Sequence, residues 1–228
     1  SKARFTRSAA SRLGTNTTEL AVILYNGFDN TPLDGKSVSF WITQNGSLWS
    51  TTSRANTTGQ SGDASGFSRY YFDPSCPSPE YFITGVQYWN ATFAGDSAYF
   101  ANTSANFTLG INSTFAIALK VPAGIVVNEG DPVRINANVS DECAEVSAAT
   151  VSMRVIPDNT HCTPMSNPNG GNYSCDFSTT GIGVGFRNVT MNATKDFYLS
   201  VINLSVNPFQ VRKSPILSNQ KVTPETEG

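Results

Sequence analysis

The sequence predicts an all-β protein built from two tandem β-sandwiches. Its 26 Ser, 24 Thr and 21 Asn make up about 31% of the 228 residues, and these side chains compete with helices for backbone hydrogen bonds. Short segments in which apolar and polar residues alternate are separated by Gly, Asn, Asp and Pro, and no segment sustains an apolar period of 3.6 residues. A chain of this length is long for one sandwich and sufficient for two of about 100 residues each.

The predicted strands form two series. The first series covers residues 19–25, 37–43, 67–72, 86–93 and 107–111. The second series covers residues 115–121, 132–139, 150–156, 172–177, 185–193 and 197–206. One series ends and the next begins near residues 112–114. The sequence therefore predicts an N-terminal extension over 1–14, a first domain over 15–112, a second domain over 113–212 and a C-terminal tail over 213–228.

Formal charge is nearly balanced, with 15 Lys+Arg against 17 Asp+Glu and a net charge of −2. This balance excludes nucleic-acid binding through charge alone, so no nucleic-acid partner is predicted. No run of 18 apolar residues occurs, and no membrane span is predicted in this chain.

The Asn-x-Ser/Thr acceptor pattern of N-glycosylation is unusually frequent. Ser and Thr make up about 22% of the chain, so chance would place such an acceptor after only about 4 to 5 of the 21 Asn. The pattern occurs instead at 12 positions: Asn16, Asn45, Asn56, Asn90, Asn102, Asn106, Asn112, Asn138, Asn172, Asn188, Asn192 and Asn203. An Asn- and Thr-rich β protein that carries no sugar is the alternative interpretation.

Strand alternation favours glycosylation because it turns the acceptors outward. On the predicted strand 86–93, Trp89, Ala91 and Phe93 share one face, and Asn90 and Thr92 share the other. The same alternation presents three more acceptors to solvent: Asn106, Asn188 and Asn192. We therefore predict a heavily N-glycosylated, extracellular protein at the cell surface.

Four cysteines point to the same compartment, because an even count in an exported protein favours disulfides. Of the three possible connectivities, Cys162 with Cys175 is favoured because these residues flank a turn-rich loop. Cys76 would then pair with Cys143 and join the two predicted domains. A metal site is disfavoured, since no Cys-x-x-Cys spacing occurs and the chain has one His.

Catalytic chemistry has little support in the sequence, and we predict that the protein is not an enzyme. The single His161 precedes Cys162, which has no free thiol if it forms a disulfide. No Gly-x-Ser-x-Gly, phosphate-loop or His-Glu-x-x-His motif occurs. Three carboxylate clusters offer oxygen ligands to Ca²⁺, but none has the spacing of a known Ca²⁺ loop, so solvated turn residues are favoured and no cofactor is predicted. The clusters are Asp29 with Asp34, Glu129 with Asp131, and Asp141 with Glu142 and Glu145.

The first half of the chain combines an Asp34-Gly35 turn, a Val38-Ser39-Phe40 strand and an Asp63-Ala64-Ser65-Gly66 turn. With these residues it resembles, over roughly residues 15–112, a prokaryotic Ig-like module of the invasin/intimin type. The second half resembles an Ig-like module more loosely, around residues 128–133 and 146–151. Sequon-rich tandem modules with few cysteines resemble archaeal S-layer-associated proteins, adhesins and filament subunits. This resemblance implies two Ig-like β-sandwiches and a structural or adhesive role.

Aromatic residues offer an alternative function, because flat rings stack on sugars. The candidates for a carbohydrate-binding face are Trp41, Trp49, Trp89, Tyr70, Tyr71, Phe72 and Tyr99. Trp89 is predicted to face inward, and core packing is the favoured interpretation of the set. Trp41 interrupts the alternation beside Phe40 and Ile42, so one of its neighbours is expected to face outward.

The ends of the chain complete the functional prediction. Residues 1–14 are basic, and an extended terminal segment can pair with an exposed strand of a neighbouring subunit. We therefore predict a structural subunit of a surface filament or S-layer-type lattice. Terminal strand donation is one interpretation of the ends, and ordinary linkers to further modules are the other. The alternative is an adhesin or glycan-binding module. The partners expected are other copies of the chain, other surface proteins or glycans.

Overall fold

The computed structural model describes residues 2–5, 9–13, 17–60, 62–76 and 80–215. Within these residues all the elements of regular secondary structure are β-strands, as the composition predicts. No helix long and apolar enough to cross a membrane occurs in this part of the chain.

The strands divide into two groups along the chain. The first group comprises β1 (Lys2–Phe5), β2 (Ala9–Ser11), β3 (Thr18–Ile23), β4 (Ser37–Ile42), β5 (Arg54–Thr57), β6 (Phe67–Phe72), β7 (Gly85–Phe93), β8 (Asn102–Thr103) and β9 (Phe107–Thr114). The second group comprises β10 (Ala116–Val121), β11 (Ile125–Asn128), β12 (Pro132–Ser140), β13 (Thr150–Ile156), β14 (Thr160–Cys162), β15 (Ser166–Asn169), β16 (Asn172–Ser178), β17 (Gly185–Thr194), β18 (Tyr198–Leu199) and β19 (Val201–Arg212).

Each group folds into a sandwich of two sheets, except that β18 pairs with β9 of the first sandwich. In the first sandwich, a sheet of order β1-β3-β6 faces a sheet of order β9-β7-β4-β5, to which β2 and β8 are added. In the second sandwich, a sheet of order β10-β12-β16-β15 faces one of order β11-β19-β17-β13-β14. These orders are those of Ig sandwiches, so the fold consists of two tandem Ig-like domains.

Both sandwiches begin in the same way. An initial strand pairs antiparallel in one sheet, as β1 does with β3 and β10 with β12. The chain then crosses to the other sheet, where β2 runs parallel to β9 and β11 runs parallel to β19. The described part of the predicted N-terminal extension is therefore built into the first sandwich, and Ala10 is buried in its core.

Apolar residues on alternating positions form two separate hydrophobic clusters. The first extends from Ala10 to Ile111 and is centred on Phe40 and Trp89, whose rings lie 6.2 Å apart. The second extends from Phe115 to Val211. Because burying one large apolar side chain contributes about 1.5–3 kcal/mol, each cluster is sufficient to hold its own pair of sheets.

Burial corrects one expectation about β4. Phe40 and Ile42 are both fully buried, and Trp41 between them is half-buried on the outer face. The residue that faces outward is therefore Trp41 itself and not one of its neighbours, so the strand keeps its alternation.

Candidate functional site: the junction between the sandwiches

A disulfide links the two sandwiches. Cys76, in the loop after β6, is bonded to Cys143, in the loop after β12, across 67 residues of sequence. The second disulfide, Cys162–Cys175, connects β14 to β16 and thus the two sheets of the second sandwich. These are the pairings that the sequence favours, and no free cysteine occurs in the described residues.

A buried ion pair lies at the same junction. Arg12, which follows β2, donates from Nη1 to Oδ2 of Asp141 at 2.7 Å, and the two side chains are 1% and 3% exposed. Arg12 also donates from Nη2 to the carbonyl oxygen of Phe82. The other oxygen of Asp141 accepts the backbone N–H groups of Cys143 and Ala144 at 2.8 and 2.9 Å. Asp141 therefore orders the cysteine-bearing loop and at the same time neutralises Arg12.

Tyr198, the first residue of β18, joins this network. Its hydroxyl donates to Oδ2 of Asp141 at 2.9 Å and accepts from the hydroxyl of Thr84, in the first sandwich, at 3.0 Å. Its ring stacks on Phe115, with centroids 4.5 Å apart and planes 12° apart. Burial, together with the neighbouring Asp141 carboxylate, raises the pKa of Tyr198 to about 12.

Backbone pairing extends across the junction as well. β18 runs parallel to the end of β9, with Tyr198 opposite Ser113 and Leu199 opposite Thr114. The carboxylate of Glu142 accepts the hydroxyl of Ser113 and, at 3.4 Å, the N–H of Thr114. Only Phe115 separates β9 from β10, so the connection between the sandwiches is short. It is hydrogen-bonded to β18 and to the side chain of Glu142.

The raised pKa of Tyr198 predicts a loss of stability at alkaline pH. A tyrosine in the unfolded chain ionises near pH 10, whereas Tyr198 in the fold ionises near 12. The fold therefore prefers the protonated hydroxyl, and this preference is complete below pH 10 and lost as the pH rises from about 10 to 12. We expect the midpoint of thermal unfolding to fall more steeply over this interval in the wild type than in Tyr198→Phe. Equal slopes in the two proteins would contradict the assignment.

The structure places the predicted glycosylation residues at the surface of both sandwiches. Asn16 lies outside the described residues. Four acceptors are exposed: Asn45, Asn102, Asn106 and Asn172. Seven are half-buried: Asn56, Asn90, Asn112, Asn138, Asn188, Asn192 and Asn203. Occupancy by sugar stays a prediction for each of them.

Two of these asparagines differ from the rest because their amides span the two sheets of a sandwich. Asn56 on β5 donates to the carbonyl oxygen of Arg69 on β6 at 2.6 Å. Asn203 on β19 donates to the carbonyl oxygen of Ile117 on β10 at 2.8 Å. Since Nδ2 is the atom that would bear the sugar, a sugar on Asn56 or Asn203 would have to fit between the two sheets.

The predicted carboxylate clusters serve as hydrogen-bond acceptors in turns. Asp29 accepts the N–H and hydroxyl of Thr31, and these bonds lower the pKa of Asp29. Asp34 accepts the N–H of Gly66 and the hydroxyl of Ser65, which lower its pKa in the same way. In the part of the chain that the structure describes, no three His, Cys, Asp or Glu side chains converge on a possible metal position.

The other predicted candidates are scattered. His161 lies on β14 opposite Arg154, and its neighbour Cys162 is in the second disulfide. Among the aromatic candidates, Trp89 and Phe72 are buried in the first core and Tyr71 is 51% exposed. Trp41, Trp49, Tyr70 and Tyr99 are half-buried. Because core and surface rings are mixed, the set as a whole does not form one flat binding face.

Comparison with known proteins gives only remote likenesses. No protein-family model and no curated sequence matches the chain. Solved structures with a similar fold include a tetra-tandem repeat from the extending region of a large adhesion protein, at 15% identity and TM-score 0.45, which covers 86% of this chain and 47% of the other. Domains 4 and 5 of the S-layer protein SbsC align at 11% identity and TM-score 0.33, covering 87% and 84%. A 1.5-MDa bacterial ice-binding adhesin aligns at 14% and 0.34, covering 91% and 62%.

The chain spans about half the length of the first of these structures. At such identities and TM-scores the likenesses carry no argument about function, which has to be inferred from the chain itself.

Proposed function

We propose that the protein is an extracellular structural glycoprotein of the cell surface, a subunit of a pilus- or fibre-like filament or of an S-layer-type lattice. The observation that carries this proposal is the junction. A disulfide, a buried ion pair and a parallel strand pair hold together two sandwiches that are separated by the single residue Phe115. Domains joined by ordinary linkers move relative to one another, whereas a subunit that propagates a regular assembly has to keep one orientation.

The positions of the outermost strands favour assembly end to end. Lys2 on β1 pairs with Ile23, at the end of the first sandwich remote from Arg12 and the junction. Arg212 on β19 pairs with Asn128, at the end of the second sandwich remote from Asp141. A contact between these opposite ends is heterologous, and repetition of such a contact produces an open filament.

Strand pairing favours the N-terminal segment as the donated strand. In the described part of the chain, β1 is an edge strand whose one neighbour is β3. β19 is hydrogen-bonded on both sides, by β11 and β17, and it is therefore committed to its own sandwich. We propose that in the assembly residues 1–5 of one copy add to the edge strand β11, at the remote end of the second sandwich of the next copy.

Electron microscopy of the purified full-length chain tests this proposal. We expect the full chain and a variant without residues 216–228 to form filaments or lattices, and a variant without residues 1–13 to form neither. A peptide of residues 1–13 added to the variant that lacks them should restore the far-UV circular dichroism spectrum of the first sandwich. It should not restore assembly, because the free peptide does not link one copy to another. Unchanged assembly of the variant without residues 1–13, or no assembly of the full chain, would contradict the proposal.

An adhesin or glycan-binding module is the second candidate, and two exposed rings favour it. Phe28 and Phe100 are 95% and 98% exposed on loops at the end of the first sandwich that is remote from the junction. Residues of both loop regions, Gly27 and Asn102 among them, line one cavity of about 350 Å³. Under this alternative the chain is monomeric, and Phe28→Ser with Phe100→Ser abolishes binding to a glycan array without lowering stability.

A further inference from the structure

An exposed apolar patch lies on the outer face of the second sandwich. Ile202 and Leu204 on β19 are 73% and 55% exposed. At these two residues β19 pairs with β17, whereas the pairing of β11 with β19 covers Phe209–Arg212, so the two side chains stand on the outer face beside β17. Contiguous apolar surface of this kind on a soluble protein is usually covered by something.

The strand register places glycosylation acceptors directly beside this patch. Ile202 is opposite Asn192 on β17, and Leu204 is opposite Thr190. Asn192 begins the acceptor Asn192-Ala193-Thr194, and Thr190 completes the acceptor that begins at Asn188. Directly opposed side chains of neighbouring strands lie about 4.5–5.5 Å apart at Cβ, within the reach of one sugar ring.

A hollow and an unsatisfied atom single out Asn192. A surface cavity of about 200 Å³ is lined by Asn192, Ile202, Arg154 and His161, which gives it one apolar wall and donors on the opposite side. Oδ1 of Asn192 is buried and accepts no hydrogen bond from the protein. A buried acceptor without a donor is costly, and a hydroxyl or acetamido N–H of an attached sugar would supply the donor.

We propose that Asn192 carries an N-linked glycan whose first sugar occupies this hollow and covers Ile202 and Leu204. The proposal rests on the glycosylation that forms part of the proposed function. In the modification, Nδ2 of Asn192 forms a bond to the anomeric carbon of a phosphate-activated glycan donor. The carrier phosphate leaves, and Nδ2 gives up one proton.

The same observations argue against a second protein chain on this face. Asn188 and Asn192 lie on the outer face of β17, which is continuous with the patch on β19, so sugars attached to them would project over it. Any docking chain would have to displace them. A sugar ring presents an apolar face and a polar rim, which matches Ile202 on one side of the hollow and Arg154 and His161 on the other.

The test compares single acceptor variants of the full chain secreted from an N-glycosylating host. Asn172→Gln is the matched control, since Asn172 is an exposed acceptor in the same sandwich on the opposite sheet. Glycopeptide mass spectrometry first establishes occupancy at Asn192. Removing the glycan with Asn192→Gln should then raise the fluorescence of a hydrophobic dye about twofold over the control, because it uncovers the patch. Adding Ile202→Ser and Leu204→Ser to Asn192→Gln should return the dye signal to the control level.

Three results would overturn the inference, and they are distinguishable. An Asn192 without sugar, alongside occupied acceptors elsewhere, removes the glycan from this site and leaves the proposed glycoprotein intact. An occupied Asn192 whose loss leaves dye binding unchanged shows that the sugar does not cover the patch. If Ile202→Ser abolishes self-association of the glycosylated protein, the patch is a protein interface and the inference is wrong.

Discussion

Replacing Asp141 with alanine is expected to lower the free energy of unfolding by about 3–5 kcal/mol, because it removes one partner of a buried ion pair and leaves the other charge uncompensated. The side chain of Arg12 is 1% exposed, so water compensates little of its charge. The same substitution removes the acceptor of the Tyr198 hydroxyl and of two backbone N–H groups in the loop of Cys143.

Urea unfolding monitored by tryptophan fluorescence measures this effect. Trp41, Trp49 and Trp89 all lie in the first sandwich, whereas Asp141 lies in the second, so the signal reports how the substitution changes the stability of the first sandwich through the junction. Asp176→Ala is the control. Its pair with Arg134 is at 3.7 Å and both side chains are more than half exposed, so we expect a change within about 0.5 kcal/mol. A loss for Asp141→Ala that equals that of Asp176→Ala would contradict the role given to the buried pair. Arg12→Met combined with Asp141→Leu should recover part of the loss, because the junction then buries no charge but the Tyr198 hydroxyl and two backbone N–H groups still lack their acceptor.

Removing the interdomain disulfide is expected to produce the second large effect. Cys76 and Cys143 are 67 residues apart, and opening a loop of this size in the unfolded chain costs about 4 kcal/mol of stability on the chain-entropy model. The same calculation for the 13-residue separation of Cys162 and Cys175 gives about 3 kcal/mol. The two disulfides are thus expected to contribute similar free energies of stabilisation. They differ in position, since only Cys76–Cys143 connects the two cores.

Calorimetry distinguishes the two cases. With Cys76→Ala and Cys143→Ala, the two sandwiches should unfold in separated transitions, since the remaining junction contacts no longer hold them as one unit. With Cys162→Ala and Cys175→Ala, the second sandwich loses stability but the linkage between the domains is kept. A single transition of unchanged midpoint in the first variant would show that the disulfide does not couple the domains.

The sequence predicts the strands that have one buried and one exposed face, because only these strands carry apolar residues at every second position. β6 (Phe67–Phe72) and β13 (Thr150–Ile156) have the predicted bounds. β5 and β11 were not predicted. They lie at sheet edges, and their side chains are largely exposed or half-buried, so their sequences lack an alternating pattern.

The junction is less accessible to sequence analysis for a different reason. Arg12 and Asp141 are 129 positions apart, and each is a single polar residue in a short turn. Neither position differs in pattern from the solvated charges that a turn normally carries. One signal in the sequence does indicate the junction. Cys143 lies two residues after Asp141, and the predicted pairing with Cys76 places Cys143 between the domains.

The parallel strand pairs determine how the molecule resists tension. In each sandwich an early strand and the last strand lie side by side and run in the same direction, β2 with β9 and β11 with β19. Pulling on the two ends of such a sandwich slides these strands along each other. Their hydrogen bonds are then loaded in shear and have to break together, whereas bonds at the end of an antiparallel hairpin break one after another. Tension applied along the chain would therefore meet two such shear-loaded pairs in series, one in each sandwich.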